Sequence, residues 1–304
     1  METGATAEGV MEWQGLQTWY SVVGKAPGQG GRLPVVVCHG GPGLTHDYLL
    51  RVAELSGAGR ACVFYDQFGN GRSGHRPAAP AEFWTIDLFV RELETLIEYL
   101  GLGDGYHLLG HSWGGMLALE LAVRRPKGLR TIVIADAFAS SAVYLTNVAR
   151  LVDDLPAEAR SAIERYETSG TTGSQEYQKA MRVFFGRHVC RVTPVPDELR
   201  STLTALGDDP TVYRAMAGLS EFRMTGTLRH WDITDRLGLV EVPVLLISGR
   251  HDEVTPRAVE QLRQGLASAR WVIFEESSHM PHIEEHGRFI VTVAEFLRQH
   301  EVTR

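Results

Sequence analysis

Short apolar runs alternate with amphipathic segments along much of this chain. The runs are rich in β-branched and aromatic residues, which is typical of buried strands. The predicted strands are Thr18–Val23, Leu33–Cys38, Arg60–Tyr65, Tyr106–Leu109, Thr131–Ala135, Val244–Ser248 and Trp271–Phe274. Between them, apolar residues recur at helical spacing, as in Ile86–Leu100 and around Phe289–Leu297. This alternation predicts a mostly parallel sheet with helices on both faces.

The alternation stops after Asp136. From about Ala137 to Leu237 the pattern is helix-like, and no strongly apolar strand interrupts it. The predicted helices are Tyr144–Val152, Ala157–Thr168, Glu176–Phe185 and Pro196–Ala205. A run of glycine, serine and threonine at residues 169–174 predicts a surface turn. We therefore predict a core formed by residues 1–136 and 238–304, with residues 137–237 inserted as a helical cap.

The composition of the chain limits the classes of protein to which it can belong. The chain has 304 residues, 44% of them hydrophobic and 22% charged, and a net charge of −7. These values are ordinary for a globular protein and leave no basic footprint for nucleic acid. Residues 1–9 lack a signal-peptide pattern, and no apolar run approaches the ~18 residues that span a membrane. With Cys38, Cys62 and Cys190 interpreted as buried reduced thiols, we expect a cytoplasmic protein that binds no membrane.

The most informative segment is residues 110–115, Gly-His-Ser-Trp-Gly-Gly. It fits the G-x-S-x-G pattern, in which a serine occupies a sharp turn between a strand and a helix. Gly110 and Gly114 lack the Cβ atoms that would collide where the backbone reverses. The predicted strand before this segment and the helix-forming residues 116–123 after it fit the same geometry. Ser112 is therefore the candidate nucleophile.

A nucleophilic serine needs a base to accept its proton and a carboxylate to orient that base. In hydrolases with this turn, the acid and then the base follow the serine along the chain, at the ends of later strands. Asp252 follows the strand Val244–Ser248, and His279 follows the strand Trp271–Phe274. We assign His279 as the base and Asp252 as the carboxylate that holds the imidazole.

Other histidines compete for these roles, since the chain has 12. His282 is the nearest competitor for the base, but the loop directly after a strand favours His279. For His282 and His286, a surface or packed position is the simpler interpretation. No H-E-x-x-H helix and no cysteine–histidine pairing occur, so we expect neither a metal nor a cofactor.

Glycines also follow the predicted strand that ends at Cys38. Residues 39–43 read His-Gly-Gly-Pro-Gly. Their simplest interpretation is a turn between a strand and a loop. The alternative, which we favour, is that the Gly41 N–H and the Trp113 N–H together form an oxyanion hole, because glycines at this point expose the backbone.

Three segments together resemble the proline iminopeptidase family of α/β hydrolases. They are residues 39–43, residues 110–115 and residues 66–73, Asp-Gln-Phe-Gly-Asn-Gly-Arg-Ser. The resemblance spans residues 35–135 and 244–285, and it implies an α/β-hydrolase fold with an inserted helical cap. Within residues 66–73, Asp66 and Arg72 are expected only to brace the loop.

Residues 221–232 and 249–256 are similar to segments of the tricorn-interacting aminopeptidase and the related L-amino acid amidases. The resemblance implies that Glu221 and Glu253 bind the free α-amino group of a substrate. Two partly desolvated carboxylates suit a compact ammonium charge, whereas a solvated surface pair is the alternative. Tyr213 faces the pocket by the same resemblance, although a tyrosine in a cap helix is more often simply packed. His111 stands where many proline-specific members have glycine, which leaves the preferred side chain open.

The predicted function is that of a serine hydrolase that cleaves an amide or peptide bond next to a free α-amino group, through an acyl-enzyme. The expected partners are a small peptide or amino acid amide as substrate, and the expected assembly is a monomer or a small homo-oligomer. A carboxylesterase or lactonase would use the same triad without a need for the two glutamates. A ligand receptor built on a hydrolase fold is the alternative outside enzymes.

Overall fold

Strands and helices alternate along the computed structural model, which describes residues 7–25 and 31–301. The strands are β1 (Ala7–Trp13), β2 (Leu16–Gly24), β3 (Val35–Cys38), β4 (Ala61–Tyr65), β5 (Tyr106–His111), β6 (Leu129–Ala135), β7 (Gly218–Ser220), β8 (Arg223–Met224), β9 (Val244–Gly249) and β10 (Ala269–Phe274). The α-helices are α1 (Ile86–Tyr99), α2 (Trp113–Ala122), α3 (Ser141–Asp153), α4 (Ala157–Ser169), α5 (Gln175–His188), α6 (Asp197–Asp208), α7 (Thr211–Met216), α8 (Pro256–Gly265), α9 (Pro281–Glu284) and α10 (His286–Gln299). Short 3₁₀ segments occupy Asp47–Ala58, Ala81–Phe83 and Thr234–Leu239.

One large sheet has the strand order β1-β2-β4-β3-β5-β6-β9-β10. The strands from β4 to β10 in this order are parallel, and the hairpin β1–β2 joins β4 in the antiparallel direction. This is the α/β fold that the sequence predicts. In the register, His111 pairs with Ala135, Ala135 with Ile247, and Gly249 with Phe274. The loops that follow β5, β6, β9 and β10 therefore lie side by side at the carboxyl edge of the sheet, where ligands of such sheets bind.

The centre of the core lies where α2 packs on the sheet. All four residues of β3 and all ten residues of α2 are buried. A helix that is apolar on every side is stable only inside a protein, because each exposed face would cost hydrophobic free energy. Burial of α2 fixes the position of Ser112, the residue that directly precedes it.

The segment predicted as a cap differs from an all-helical insertion. Among the described residues, the eight strands of the large sheet all lie outside residues 137–237. Five helices, α3–α7, fall inside this segment, together with the small hairpin β7–β8. The hairpin has no counterpart among the predicted elements, because strands of three and two residues are too short to show an alternating pattern. Helix α7, which has only six residues, has none either.

Strand β1 is a second difference from the predicted elements. Its burial alternates only at Met11 and Trp13, and its first four residues are exposed or half-buried. Such an edge strand carries a weak hydrophobic signal, so the sequence pattern did not reveal it. Of residues 1–9, which were considered for a signal-peptide pattern, residues 1–6 lie outside the described part of the chain.

Two further expectations concern cysteines and membranes. Cys38, Cys62 and Cys190 are free and buried. Across residues 7–25 and 31–301, none of the helices combines the length and apolar character that crossing a membrane requires.

Candidate active site

Ser112 occupies the turn between β5 and α2. Its backbone has φ 54° and ψ −121°, a conformation that residues with a side chain rarely adopt. The turn is tight: a Cβ on Gly110 would lie 2.2 Å from the Gly114 carbonyl oxygen. A Cβ on Gly114 would lie 2.0 Å from the Cys38 carbonyl oxygen. Both positions therefore require glycine, and the hydroxyl-bearing residue between them is held at the carboxyl edge of the sheet.

Asp252 and His279 meet where β9 and β10 end. His279 Nδ1 lies 2.7 Å from Asp252 Oδ1, and both side chains are buried. Asp252 Oδ1 also accepts the Val254 backbone N–H at 2.8 Å. Burial lowers the pKa of His279, but the Asp252 carboxylate, together with the charges of Glu221 and Glu284, outweighs burial, and the pKa lies above its ordinary value. Ser112 and His279 line one cavity, so the three residues predicted as a triad lie in one region.

The other two histidines considered for the base, His282 and His286, do not line this cavity. The ring of His282 is buried, with its centroid 5.5 Å from that of Tyr48 and 5.9 Å from that of Phe289. Burial lowers the pKa of His282 to about 3, so this ring is neutral at ordinary pH. His286 Nε2 lies 3.0 Å from Glu54 Oε1 on the outside of the core. Among the described residues that line the cavity, the histidines are His111 and His279.

Gly41 and Trp113 line the cavity beside Ser112. Trp113 is the first residue of α2, and the first N–H groups of a helix have no intrahelical acceptor. Gly41 has φ +113°, and a Cβ there would lie 2.5 Å from the Gly43 nitrogen. The loop at Gly41 therefore folds back on itself beside Ser112, and the oxyanion-hole role of its N–H stays a prediction.

Gln67 connects the two halves of the predicted oxyanion hole. Its side-chain amide donates to the His39 carbonyl at 2.9 Å and accepts the Trp113 indole N–H at 2.8 Å. Its backbone N–H donates to His39 Nε2 at 2.9 Å. In the same loop, Asp66 accepts the Arg72 backbone N–H at 2.9 Å, which is the bracing role predicted for it. The sequence analysis missed Gln67, although it stands second in the motif at residues 66–73.

A second connection runs from the loop of Gly40 to the strand end at His111. The Gly40 N–H donates to the Tyr48 hydroxyl at 2.8 Å, and that hydroxyl lies 2.8 Å from His111 Nδ1. Burial keeps the pKa of His111 well below its ordinary value, so the ring is neutral. Because the Tyr48 oxygen accepts from Gly40, its own proton is free to bond to His111 Nδ1.

Glu221 and Glu253 line the same cavity as Ser112. Glu253 Oε1 lies 3.7 Å from His279 Nε2, the ring nitrogen that faces away from Asp252. Burial raises the pKa of Glu253 well above its ordinary value, and the neighbouring carboxyl of Glu221 raises it further. Glu253 is thus a desolvated carboxyl with the half-buried Glu221 as its neighbour, which differs from a solvated surface pair.

Two tyrosines complete this part of the cavity. Tyr213 lines it and packs against the glycine loop, since a Cβ on Gly43 would lie 3.0 Å from Tyr213 Cβ. Tyr144 also lines the cavity, and its hydroxyl interacts with the Glu253 carboxylate. Its ring stacks on Phe138 at 4.5 Å. No sequence signal identified Tyr144, because a tyrosine in a cap helix usually indicates packing alone.

The remaining walls of the cavity are largely apolar. Side chains from the core and from the predicted cap contribute them: Leu44, Met116, Phe138, Phe185, Val189, Leu199, Leu203, Leu206, Met224, Leu228, Val254 and Met280. An apolar wall excludes water and strengthens the electrostatic interactions inside it.

Within the described part of the chain, one group of side chains has donor atoms spaced for a metal: Asp136, Asp252 and His279. One such atom of each lies within 4.8 Å of the others. However, His279 Nδ1 and Asp252 Oδ1 already bond to each other. This arrangement suits an oriented imidazole.

The fold and the site define an α/β hydrolase, and comparison with known proteins agrees. The α/β hydrolase fold family matches residues 34–286. Among solved structures, VinJ has 43% sequence identity and a TM-score of 0.95, covering 98% of this chain and 100% of VinJ. The proline iminopeptidase of Mycobacterium smegmatis has 40% identity and a TM-score of 0.91, covering 97% of this chain and 98% of its own.

Comparison with curated relatives shows which family of α/β hydrolases the chain belongs to. The proline iminopeptidase of Saccharolobus solfataricus is 36% identical over 271 residues, which cover 89% of this chain and 86% of that protein. The proline iminopeptidase of Thermoplasma volcanium is 35% identical over 292 residues, which cover 96% and 97%. The chain therefore belongs to the proline iminopeptidase family of α/β hydrolases and is a hydrolase enzyme. The resemblance inferred from its motifs is confirmed.

Proposed function

We propose that the protein is a serine aminopeptidase or amino acid amidase. It cleaves the amide or peptide bond that follows an N-terminal residue with a free α-amino group, through an acyl-enzyme. The observation that carries this proposal is the buried Glu253 carboxyl with the half-buried Glu221 beside it, next to His279 Nε2 in the cavity of Ser112. An esterase has no use for desolvated carboxylates at that place, whereas a substrate ammonium compensates their charge.

In the proposed reaction each of these groups has one role. Ser112 Oγ attacks the carbonyl carbon while His279 Nε2 accepts its proton, and Asp252 stabilises the imidazolium through Nδ1. The N–H groups of Gly41 and Trp113 hold the negative oxygen of the tetrahedral intermediate. The imidazolium then gives its proton to the leaving amine, which departs and leaves an acyl-serine. Water then attacks the acyl carbon while His279 accepts its proton, and Ser112 is released as the free hydroxyl.

The glutamates set which carbonyl is attacked. An ammonium held by Glu221 and Glu253 places the adjacent carbonyl beside Ser112, so that the first residue of the substrate becomes the acyl group. The Tyr144 hydroxyl orients Glu253 in this role, and the largely apolar cavity favours apolar side chains at that residue. We further propose a small peptide or an amino acid amide as the substrate class.

A panel of chromogenic substrates tests the proposal. Alanine, proline and phenylalanine p-nitroanilides are compared with their N-acetylated forms and with p-nitrophenyl acetate. We expect turnover of at least one free-amine anilide and at least a hundredfold loss on acetylation, since acetylation removes the ammonium. Equal rates for blocked and free substrates, or turnover of the ester alone, would favour a carboxylesterase or lactonase.

The serine mechanism is tested separately. Ser112→Ala is expected to abolish both turnover and labelling by a fluorophosphonate probe, while the thermal unfolding temperature stays close to that of wild type. Ser277→Ala provides a matched control, because Ser277 is buried in the loop that carries His279 but bonds to Glu285 at 2.7 Å. Activity of Ser112→Ala within about tenfold of wild type would exclude the mechanism.

A further inference from the structure

Asp136 is a buried carboxyl group that the mechanism above does not use. It follows β6 at the carboxyl edge of the sheet, with φ +56°. Its Oδ1 atom accepts the Gly249 backbone N–H at 3.1 Å. Its Oδ2 atom is buried, and no donor bonds to it among the described residues. An orphaned oxygen in such a place is costly unless a proton satisfies it.

Asp252 also has a buried oxygen that accepts no hydrogen bond within the described part of the chain. Its Oδ1 atom accepts two N–H groups, from His279 and from Val254, whereas Oδ2 is buried and has no donor in the described chain. A carboxylate oxygen of Asp136 lies within 4.8 Å of one of Asp252, and the two side chains interact directly. Because both groups only accept when ionised, a single proton between them satisfies both orphaned oxygens at once.

Two ionised carboxylates cannot share a dry site, so the pair holds one proton. Asp252 accepts two N–H donors, one of them on the ring that becomes cationic during catalysis, and Asp136 accepts one. The larger number of donors stabilises the anion on Asp252. The proton therefore belongs on Asp136, and burial and the Asp252 charge both raise the Asp136 pKa well above its ordinary value.

The other charged and titratable groups around Asp136 do not alter this assignment. His111 Nε2 lies 3.9 Å from Asp136 Oδ2, but burial keeps His111 neutral. Glu284 adds negative charge, which favours the neutral acid further. His279, the one neighbour that becomes cationic, is bonded to Asp252.

We propose that Asp136 is a positioning residue that stays protonated at neutral pH and donates its proton in a hydrogen bond to Asp252 Oδ2. Asp252 then receives three hydrogen bonds, and its Oδ1 atom is held facing His279 Nδ1. Asp136 and Asp252 together therefore carry one negative charge beside the His279 imidazole. The proposal rests on the serine triad of the proposed function.

Infrared difference spectroscopy tests the proton directly and needs no substrate. The spectrum of wild type minus Asp136→Asn at neutral pH is expected to contain the C=O stretching band of a buried carboxylic acid. The exposed Asp153→Asn serves as the control and gives no such band. In Asp252→Asn, the new amide donates to Asp136, which ionises, and the band disappears. Other buried acids are common to both proteins and cancel, so a difference spectrum without this band would overturn the proposal. If Asp136→Asn fails to fold, wild type minus Asp252→Asn gives the same test, because Asp136 ionises in that variant.

The rate of labelling of Ser112 by a fluorophosphonate probe, measured against pH, tests the positioning role. Asparagine keeps both hydrogen bonds and the charge, so Asp136→Asn is expected to stay within a few-fold of wild type with an unmoved acidic limb. Asp136→Ala is expected to lose about tenfold or more, because Asp252 is released. A shift of the acidic limb to lower pH in Asp136→Asn would mean that Asp136 was ionised and would overturn the proposal. Wild type that resists labelling would contradict the proposed function, and the infrared band would still decide the protonation.

Discussion

His111 Nε2 lies 2.7 Å from the carbonyl oxygen of His279, so the residue before Ser112 holds the backbone of the residue proposed as the base. The other ring nitrogen faces the Tyr48 hydroxyl, which accepts the Gly40 N–H. The tautomer follows from these partners: Nδ1 accepts from Tyr48, and the Nε2–H donates to His279. One neutral imidazole thus connects three loops of the site.

Loss of this ring should therefore impair catalysis more than binding. In His111→Ala the loop of His279 is no longer held, and a displacement of about 1 Å can cost up to about a hundredfold in rate. We expect kcat to fall by about ten- to a hundredfold with little change in KM for the best anilide of the panel. His111→Gln, whose amide can still donate to the carbonyl, is expected to recover part of the loss. The exposed His230→Ala is the control, and an unchanged kcat in His111→Ala would contradict this role.

Neutralising the carboxyl pair should affect only substrates with a free amine. Glu253→Gln removes a charge-assisted hydrogen bond, worth about 1.5–3 kcal/mol, so KM for aminoacyl anilides is expected to rise about ten- to a hundredfold. Turnover of p-nitrophenyl acetate should change little, since an ester has no ammonium. Glu158→Gln, an exposed change in α4, provides the control. Equal losses on both substrate classes would assign Glu253 to the chemistry instead.

The same pair predicts how recognition depends on pH. The Glu253 pKa is raised, so the carboxyl is neutral at low pH and binds an ammonium only as the pH rises through that pKa. The α-amino group of a substrate loses its charge above about pH 8. We expect 1/KM for a free-amine anilide to follow a bell-shaped curve between these limits. In Glu253→Gln the acidic side of that curve should flatten, and a curve identical to that of wild type would argue against the assignment.

Glu92 predicts a pH dependence of stability that is separate from catalysis. This buried residue of α1 accepts the Phe68 N–H at 2.8 Å and the Thr18 hydroxyl, and burial raises its pKa to about 8. Because the folded pKa exceeds the unfolded value, the stabilising effect of its proton is complete below about pH 4.5. It declines by roughly 1.4 kcal/mol per pH unit up to about pH 8.

Glu92→Gln keeps the neutral form at every pH and should avoid this decline. We expect its melting temperature to rise relative to that of wild type as the pH increases from 5 to 8. Glu98→Gln, an exposed change on the same helix, should leave the difference constant. Parallel curves for wild type and Glu92→Gln would show that Glu92 is ionised in the folded protein.

The sequence predicted the parallel sheet because its buried strands are continuous apolar runs. The candidates Ser112, Asp252 and His279 could be named from the sequence because each follows a predicted strand, where hydrolases of this type carry their nucleophile, acid and base. Steric demands at Gly110 and Gly114 are equally local, and a single short segment of sequence reveals them.

Contacts between distant segments could not be predicted in this way. Gln67 lies 46 residues along the chain from Trp113, and Asp136 lies 113 residues from Gly249, whose N–H it accepts. No sequence periodicity links residues so far apart. Tyr144 and α7 belong to the segment predicted as a cap, where amphipathic helices pack in ways that their own patterns do not specify. Asp136 carried one usable signal, its place at the end of β6 on the ligand-binding edge of the sheet.

Glu221 lies in the turn between β7 and β8, within the segment predicted as a cap, while Glu253 follows β9 of the core. The proposed amine site therefore consists of two halves carried by separate stretches of chain. The three residues proposed for the chemistry, Ser112, Asp252 and His279, all lie outside residues 137–237, so we expect the choice of substrate to depend on how this segment fits the rest of the chain. A graft of another insertion at the same two junctions would leave the serine reactive while exchanging what it recognises, which makes this boundary the natural place to redesign selectivity.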